Sequence, residues 1–153
     1  MKILLATDGS DYNNLAVKEF AGRLFAPDTE VRIISAFENA GIIMSTAAPM
    51  GGLAGYYDEV DNVAKKSAED AAKSAADLLQ NQHPALLITT TVINGSPKHV
   101  ILNEAKEFGA DLIVVGSHGR GALERFLLGS VSQAVALHAK CSVEIVRNRS
   151  IES

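Results

Sequence analysis

The chain has 153 residues, 47% of them hydrophobic and 21% charged, as in an ordinary globular domain. A net charge of −4 excludes the broad basic surface of nucleic-acid-binding domains, and we expect no nucleic-acid partner. The single cysteine excludes a disulfide framework and a cysteine-based metal site. With no run long enough for a membrane span or a signal peptide, we expect a cytoplasmic protein with no membrane partner.

Short apolar runs alternate with longer amphipathic segments along the chain. The apolar runs predict strands at residues 2–7, 31–37, 86–93, 111–116 and 142–147. Apolar residues at helical spacing predict helices at 13–25, 58–79, 97–108 and 131–139. Pro27 ends the first helix, and Gly109 caps the third. The alternation predicts a single α/β domain over residues 1–148, with a mainly parallel sheet covered on both faces, and a tail at 149–153.

One segment breaks this alternation. Asn39 to Tyr57 contains no charged residue, four glycines and a proline, and it is too long for an ordinary connection between a strand and a helix. Two interpretations stay open. The segment is either a surface excursion or a lid whose apolar residues cover a ligand site or a partner.

Parallel sheets of this kind bind ligands beyond the carboxyl ends of their strands, where the strand order reverses. This rule points to the end of the first strand, in "ATDGSD", and to the loop "GSHGRGALERFLLGSVS", Gly116 to Ser132. The glycines of that loop allow close approach of the backbone to a ligand. A side chain at Gly116 would block a ligand, and Gly119 would let the turn present its N–H groups.

Three known motifs of phosphate-binding or phosphate-accepting proteins do not match this sequence. Gly116 and Gly121 have the Walker A spacing, but Ala122 and Leu123 occupy the positions of its lysine and hydroxyl residue. The dinucleotide-binding fingerprint needs several glycines after the first strand, which offers only Gly9. A response-regulator receiver needs clustered acidic residues at the same place, and this chain has one.

The remaining spacing is Gly116, two residues, Gly119, nine residues, then Gly129 and Ser130. With a strand before it, a helix after it and the opening "ILLATDGSD", this pattern resembles the universal stress protein family over essentially the whole chain. The resemblance is to the ATP-binding branch. It implies a Rossmann-like nucleotide-binding fold: an open five-stranded parallel sheet of order 3-2-1-4-5 with helices on both faces.

The resemblance also implies an ATP site, with Mg²⁺. Adenine would lie against the backbone of Ala36, and Ala6 stands where the family often has proline, beside Thr7. Asp8 would orient the ribose or base, or hold a metal bridged to phosphate. The segments that wrap the ribose and phosphates would be Gly116, Ser117, His118, Gly119, Arg120, Gly129, Ser130, Val131 and Ser132.

Considered by themselves, several of these residues have other interpretations. Ser130 and Gln133 fit a capping box, in which Ser130 caps its own helix. Arg120 would either bind phosphate or be solvated, and Asp8 would be a turn residue. No acid or hydroxyl lies at a position that obviously orients His118, so we predict neither a catalytic residue nor a metal-ligand set.

The function that we expect is that of a cytoplasmic, ATP-binding universal stress protein, a regulatory or stress-response protein. Family members commonly pair through the last strand, which implies a homodimer through Ser142 to Arg147; an ordinary protected edge strand is the alternative. A slow ATPase and an interaction module without nucleotide are the alternative functions.

Overall fold

The computed structural model describes residues 1–40, 54–119 and 128–147. Its elements, in chain order, are β1 (Lys2–Ala6), α1 (Asp11–Ala21), β2 (Glu30–Phe37), α2 (Ala54–Gln82), β3 (Leu87–Asn94), α3 (Pro97–Phe108), β4 (Leu112–Gly116), α4 (Ser130–His138) and β5 (Ser142–Val146). No helix within these ranges is both long and apolar enough to cross a membrane.

The five strands form one parallel sheet of order β3-β2-β1-β4-β5, which confirms the predicted fold class. Ile3 of β1 pairs with Val31 of β2 on one side and with Leu112 of β4 on the other. The order reverses between β1 and β4, because the chain leaves β1 toward β2 and later returns to the opposite side of β1. The carboxyl ends of β1 and β4 therefore flank the crevice where such sheets bind ligands.

Alternate residues of the strands supply two apolar cores, one on each face of the sheet. Ile3 and Leu5 pack with residues of α1 and α2 on one face. Leu4 and Ala6 pack with residues of α3 and α4 on the other. The helices on both faces hold the strand ends in place and so position the site.

The first helix begins and ends earlier than the prediction of 13–25. Ser10 caps α1, since its side chain accepts a hydrogen bond from the Asn13 N–H. Gly22 caps the other end, and the last helical residue, Ala21, lies four residues before the predicted boundary at Phe25. The prediction relied on the apolar positions and on Pro27, and it overlooked these two cap residues.

The helix that follows the uncharged segment, α2, begins at Ala54, four residues before its predicted start at residue 58. Pro49, Gly51 and Gly52, which disfavour a helix, precede Ala54 in the sequence. Between Ala54 and Tyr57 the only residue of this kind is Gly55. Gly55 to Tyr57 are therefore helical rather than part of an excursion. Residues 41–53, on which both interpretations of the segment depend, lie outside the described residues.

Candidate functional site

The end of β1 and the turn after β4 meet at a close contact. Asp8 Oδ1 accepts hydrogen bonds from the backbone N–H of Ser10 (2.9 Å) and from its hydroxyl (2.7 Å). A Cβ placed on Gly119 would lie 2.8 Å from Asp8 Oδ2, closer than real Cβ atoms come to another atom. The backbone of Gly119 is not in the left-handed region. Glycine therefore allows the close approach to Asp8 here, and its φ angle is not the reason for it.

A second contact joins the turn to the start of α4. The Gly129 N–H donates to the Ser117 carbonyl oxygen at 2.8 Å. Ser132, which is 3% exposed, donates its hydroxyl to the carbonyl oxygens of Ser117 (3.2 Å) and Gly129 (2.9 Å). A Cβ on Gly129 would lie 3.1 Å from the Ser117 oxygen, so this approach also depends on glycine. The Ser132 hydroxyl thus fixes the turn, although the sequence suggested that it would donate to a ligand.

The first turn of α4 has no side-chain cap. Gly129 is the N-cap, and Ser130 is the first residue of the helix, so the capping-box interpretation of Ser130 is wrong. The Gln133 N–H donates to the Gly129 oxygen and forms the first helical bond. The N–H groups of residues 130–132 have no intrahelical acceptor, and they lie at the positive end of the helix dipole. This geometry favours an anion.

Gly116 faces a protein neighbour. A Cβ on Gly116 would lie 3.4 Å from the Asn13 side chain and from the His118 carbonyl oxygen, which is ordinary contact. The expectation that a side chain here would block a ligand is therefore wrong, because the Cβ would point toward α1. Asn13 is 8% exposed and belongs to the buried side of α1.

His118 contacts both the turn and α1. Its Nδ1 lies 2.9 Å from the Ser117 hydroxyl, and its ring centroid lies 5.9 Å from that of Tyr12. The expectation that no hydroxyl orients His118 is therefore wrong, because the residue immediately before it supplies one. Its Nε2 is buried and, within the described part of the chain, has no hydrogen-bond partner. The same is true of Asn13 Oδ1.

Asn13 is the residue that the sequence reasoning missed. The spacing of Asn13, Ala16, Val17 and Phe20 is that of one helical stripe, and all four are buried. A polar residue on an otherwise apolar stripe was the signal that could have identified it.

The remaining predicted residues lie at the same edge of the sheet, or outside the described residues. Ala6 ends β1, and the N–H of the buried Thr7 donates to the Ile34 oxygen at 2.9 Å. Ala36 is half-buried near the end of β2, two residues beyond the Ile34 that pairs with Ala6. Arg120 lies outside the described residues.

The described ranges contain no group of three or more His, Cys, Asp and Glu residues that could hold a metal ion. They do contain a cleft of about 710 Å³ between the start of α1 and one face of α2. Gly9, Asn14, Asn62, Lys66 and Ser74 are among the residues that line it. Its lining comes from these two helices and not from the turn after β4.

Sequence comparison shows a match over nearly the whole chain. A model of the Universal stress protein family matches residues 1–147. Universal stress protein YxiE of Bacillus subtilis (strain 168) is 34% identical over 151 residues, covering 95% of this chain and 98% of that protein. Universal stress protein MJ0531 of Methanocaldococcus jannaschii is 31% identical over 148 residues, covering 95% of this chain and 81% of that protein.

Solved structures of similar fold cover nearly the whole chain as well. Universal stress protein UspA from Lactobacillus plantarum has a TM-score of 0.79 and 24% identity, covering 96% of this chain and 97% of that one. A universal stress protein in complex with cAMP has a TM-score of 0.66 and 24% identity, covering 96% of each chain. A family protein from Arabidopsis thaliana with AMP bound has a TM-score of 0.67 and 17% identity, covering 98% of this chain and 94% of that one. At these identities the likeness establishes the fold alone.

Proposed function

We propose that this chain, which belongs to the universal stress protein family, binds ATP with Mg²⁺ at the carboxyl edge of its sheet. The observation that carries the proposal is that the end of β1 and the start of α4 both contact the turn after β4. Asp8 contacts the turn at Gly119, and the uncapped start of α4 is fixed to it at Ser117. Two solved structures of similar fold hold adenine nucleotides, AMP and cAMP, which supports the choice of base.

The phosphates would lie at the start of α4. The N–H groups of Ser130, Val131 and Ser132 would donate to phosphate oxygens. Arg120 would add a forked cation to the same oxygens. These donors are mainly backbone groups, so their position depends on the two contacts that fix the turn.

The nucleoside would lie beyond the carboxyl ends of β1 and β2, next to the crevice between β1 and β4. Ala6, Thr7 and Asp8 end or follow β1, and Ala36 lies near the end of the neighbouring β2. Backbone groups at Ala36 would contact adenine. The backbone of Gly116, His118 and Gly119 would enclose the ribose from the β4 side, with Asp8 orienting it.

Mg²⁺ would be held chiefly by the phosphate oxygens. The described residues offer Asp8 at this edge but no cluster of three acidic or histidine ligands. Mg²⁺ commonly retains several waters and takes only one or two carboxylates together with substrate phosphates. A single nearby carboxylate therefore fits a phosphate-bridged ion.

The biological role that follows is regulatory. We propose a cytoplasmic stress-response protein, a homodimer that pairs through residues 142–147 and changes its partner interactions with nucleotide occupancy. β5 is an edge strand of the sheet, so one side of its backbone is available for pairing. Val143 and Ile145 on this strand are half-buried.

Calorimetric titration of nucleotide-stripped protein tests the proposal. ATP with Mg²⁺ should bind with micromolar or tighter affinity, ATP with EDTA more weakly, and GTP with Mg²⁺ more weakly again. The absence of heat with all three would contradict it. Release of phosphate during the same incubation would favour the slow ATPase instead.

A further inference from the structure

We propose that Asn13 and His118 form a hydrogen bond when the β4 turn, residues 117–119, holds its ligand, and that this bond is absent from the ligand-free protein. Asn13 would then be a positioning residue that links the turn to α1. The inference rests on the proposed nucleotide function.

Asn13 occupies a position where an amide is costly. Its side chain is 8% exposed, and Oδ1 has no hydrogen-bond partner in the described part of the chain. It shares the buried stripe of α1 with Ala16, Val17 and Phe20. Leucine has nearly the same shape and would leave no acceptor unpaired. The amide therefore needs an explanation other than packing in this state.

His118 offers the complementary group. The Ser117 hydroxyl, 2.9 Å from Nδ1, can donate to that nitrogen, which leaves the ring proton on Nε2. Nε2 is buried and also has no partner among the described residues. One side chain thus has an unpaired donor and the other an unpaired acceptor.

Both residues lie where the β4 turn meets the start of α1. The His118 ring lies beside the ring of Tyr12, the residue that precedes Asn13 in α1. Gly116, two residues before His118, packs against the Asn13 side chain, and a Cβ there would lie 3.4 Å from the Asn13 side chain and the His118 carbonyl oxygen. The proposed bond requires a displacement of the turn that brings this donor and this acceptor together.

A ligand supplies the reason for that displacement. The turn is fixed at Ser117 by Gly129 and Ser132, and Gly119 packs against Asp8. His118 lies between these two contacts. A nucleotide held by the backbone of the turn would shift this middle residue, and the new hydrogen bond would favour the bound arrangement over the free one.

A double-mutant cycle tests the pair. The variants are Asn13→Leu, His118→Phe and the double variant, each titrated with ATP and Mg²⁺ by calorimetry and melted without ligand. Each single variant should bind about 3- to 10-fold more weakly, as for the loss of one net hydrogen bond. The double variant should bind no more weakly than either single one. Ligand-free Asn13→Leu should melt at the same temperature as wild type or a few degrees higher.

Ser35→Ala is the matched control. Ser35 Oγ is also buried and without a partner in the described ranges, and the residue is 2% exposed. It lies on β2, on the same face of the sheet as Ile33 and opposite to that of Ala36. Removing its hydroxyl should leave the melting temperature unchanged or raise it, with no change in ATP affinity.

The outcomes separate the inference from the function on which it rests. If wild type binds ATP but the affinity losses of the two single variants add in the double variant, the residues do not pair. The inference then fails, and the proposed function stands. A lower melting temperature with unchanged affinity for Asn13→Leu would make Asn13 purely structural and would also overturn it. If wild type binds no nucleotide, the proposed function and this inference both fail.

Discussion

Gly119 shows how a single missing side chain determines the geometry of the site. Its α-carbon approaches Asp8 so closely that a Cβ would lie 2.8 Å from the carboxylate oxygen. The carboxylate has little freedom to move away, because Ser10 donates two hydrogen bonds to its other oxygen. A substitution at Gly119 must therefore displace either Asp8 or the turn.

We predict that Gly119→Val reduces ATP affinity more than about tenfold, because the displaced turn no longer presents its backbone to the ligand. Overpacking of this kind costs about 1–3 kcal/mol, so the variant should remain folded. Gly55→Val is the control, since nothing lies within 4 Å of a Cβ at that residue. Calorimetric titration and thermal melting measure both effects. Complete unfolding of the Gly119 variant would make this glycine structural.

At this scale the sequence located the glycine turn but did not reveal which residues the glycines pack against. The spacing of Gly116, Gly119 and Gly129 identified the turn, but the neighbours of these glycines are distant in sequence. Asn13 packs against Gly116 across about a hundred residues, and only the folded chain brings them together. The sequence pattern does not show which residues meet in this way, and the only sign of Asn13 was its polar side chain on the apolar stripe of α1.

Elements of the fold are tied to one another by specific polar contacts as well as by the two cores. Arg23, just after α1, forms a bidentate ion pair with Glu144 of β5, with Nη1 2.6 Å from Oε2. Hydrogen bonding from Arg23 lowers the pKa of Glu144 below its ordinary value of 4.5, although partial burial opposes the shift. The pair joins α1 to the edge strand proposed for dimerisation.

We predict that this ion pair makes stability depend on pH in the acid range. Because the folded pKa of Glu144 is lowered, its contribution is complete well above pH 4.5 and is lost as the pH falls through the folded pKa. Glu144→Gln should cost about 0.5–1 kcal/mol at pH 7, a value limited by solvent screening, and a smaller amount at pH 3. Urea unfolding at both pH values measures the difference. Glu69→Gln, whose carboxylate lies 3.9 Å from Lys65 on the exposed face of α2, should change neither value.

The end of α3 allows a test of backbone conformation alone. Gly109 adopts φ 68° as the helix cap, and its N–H donates to the Lys106 oxygen. Nothing lies within 4 Å of a Cβ at this position, so Gly109→Ala adds strain without a steric clash. The variant should lose about 1 kcal/mol of unfolding free energy and melt about 2–4 °C lower in calorimetry. An unchanged melting temperature would show that the cap is not strained by a side chain.

The elements were largely predictable, since strands and helices alternate in the hydrophobic pattern and Pro97 and Gly109 delimit α3 at the expected residues. Helix ends that depend on cap residues were not predictable from this pattern. Ser10 and Gly22 set the ends of α1 through local hydrogen bonds that the apolar periodicity does not record. Strand order was not derivable from periodicity and came from the family resemblance.

For the whole molecule, β5 is one of the two edge strands of the described sheet, and it is the edge through which we propose that two copies pair. We predict that Ile145→Pro converts the proposed homodimer to monomers, because proline removes a backbone donor and disturbs the strand. Light scattering measures the mass, and circular dichroism checks that the sheet persists. Two results would exclude pairing through β5: an unaltered dimer mass for the variant, or a monomeric wild type.

The location of the nucleotide is the central claim, and an NMR titration of ¹⁵N-labelled protein with ATP and Mg²⁺ tests it most directly. The titration distinguishes two locations, the edge formed by the β4 turn and the start of α4, and the cleft between α1 and α2. We predict that the largest amide shifts fall on residues 116–119 and 129–132. Shifts confined to Asn62, Lys66 and Ser74 in the cleft, or no shifts at all, would contradict the account.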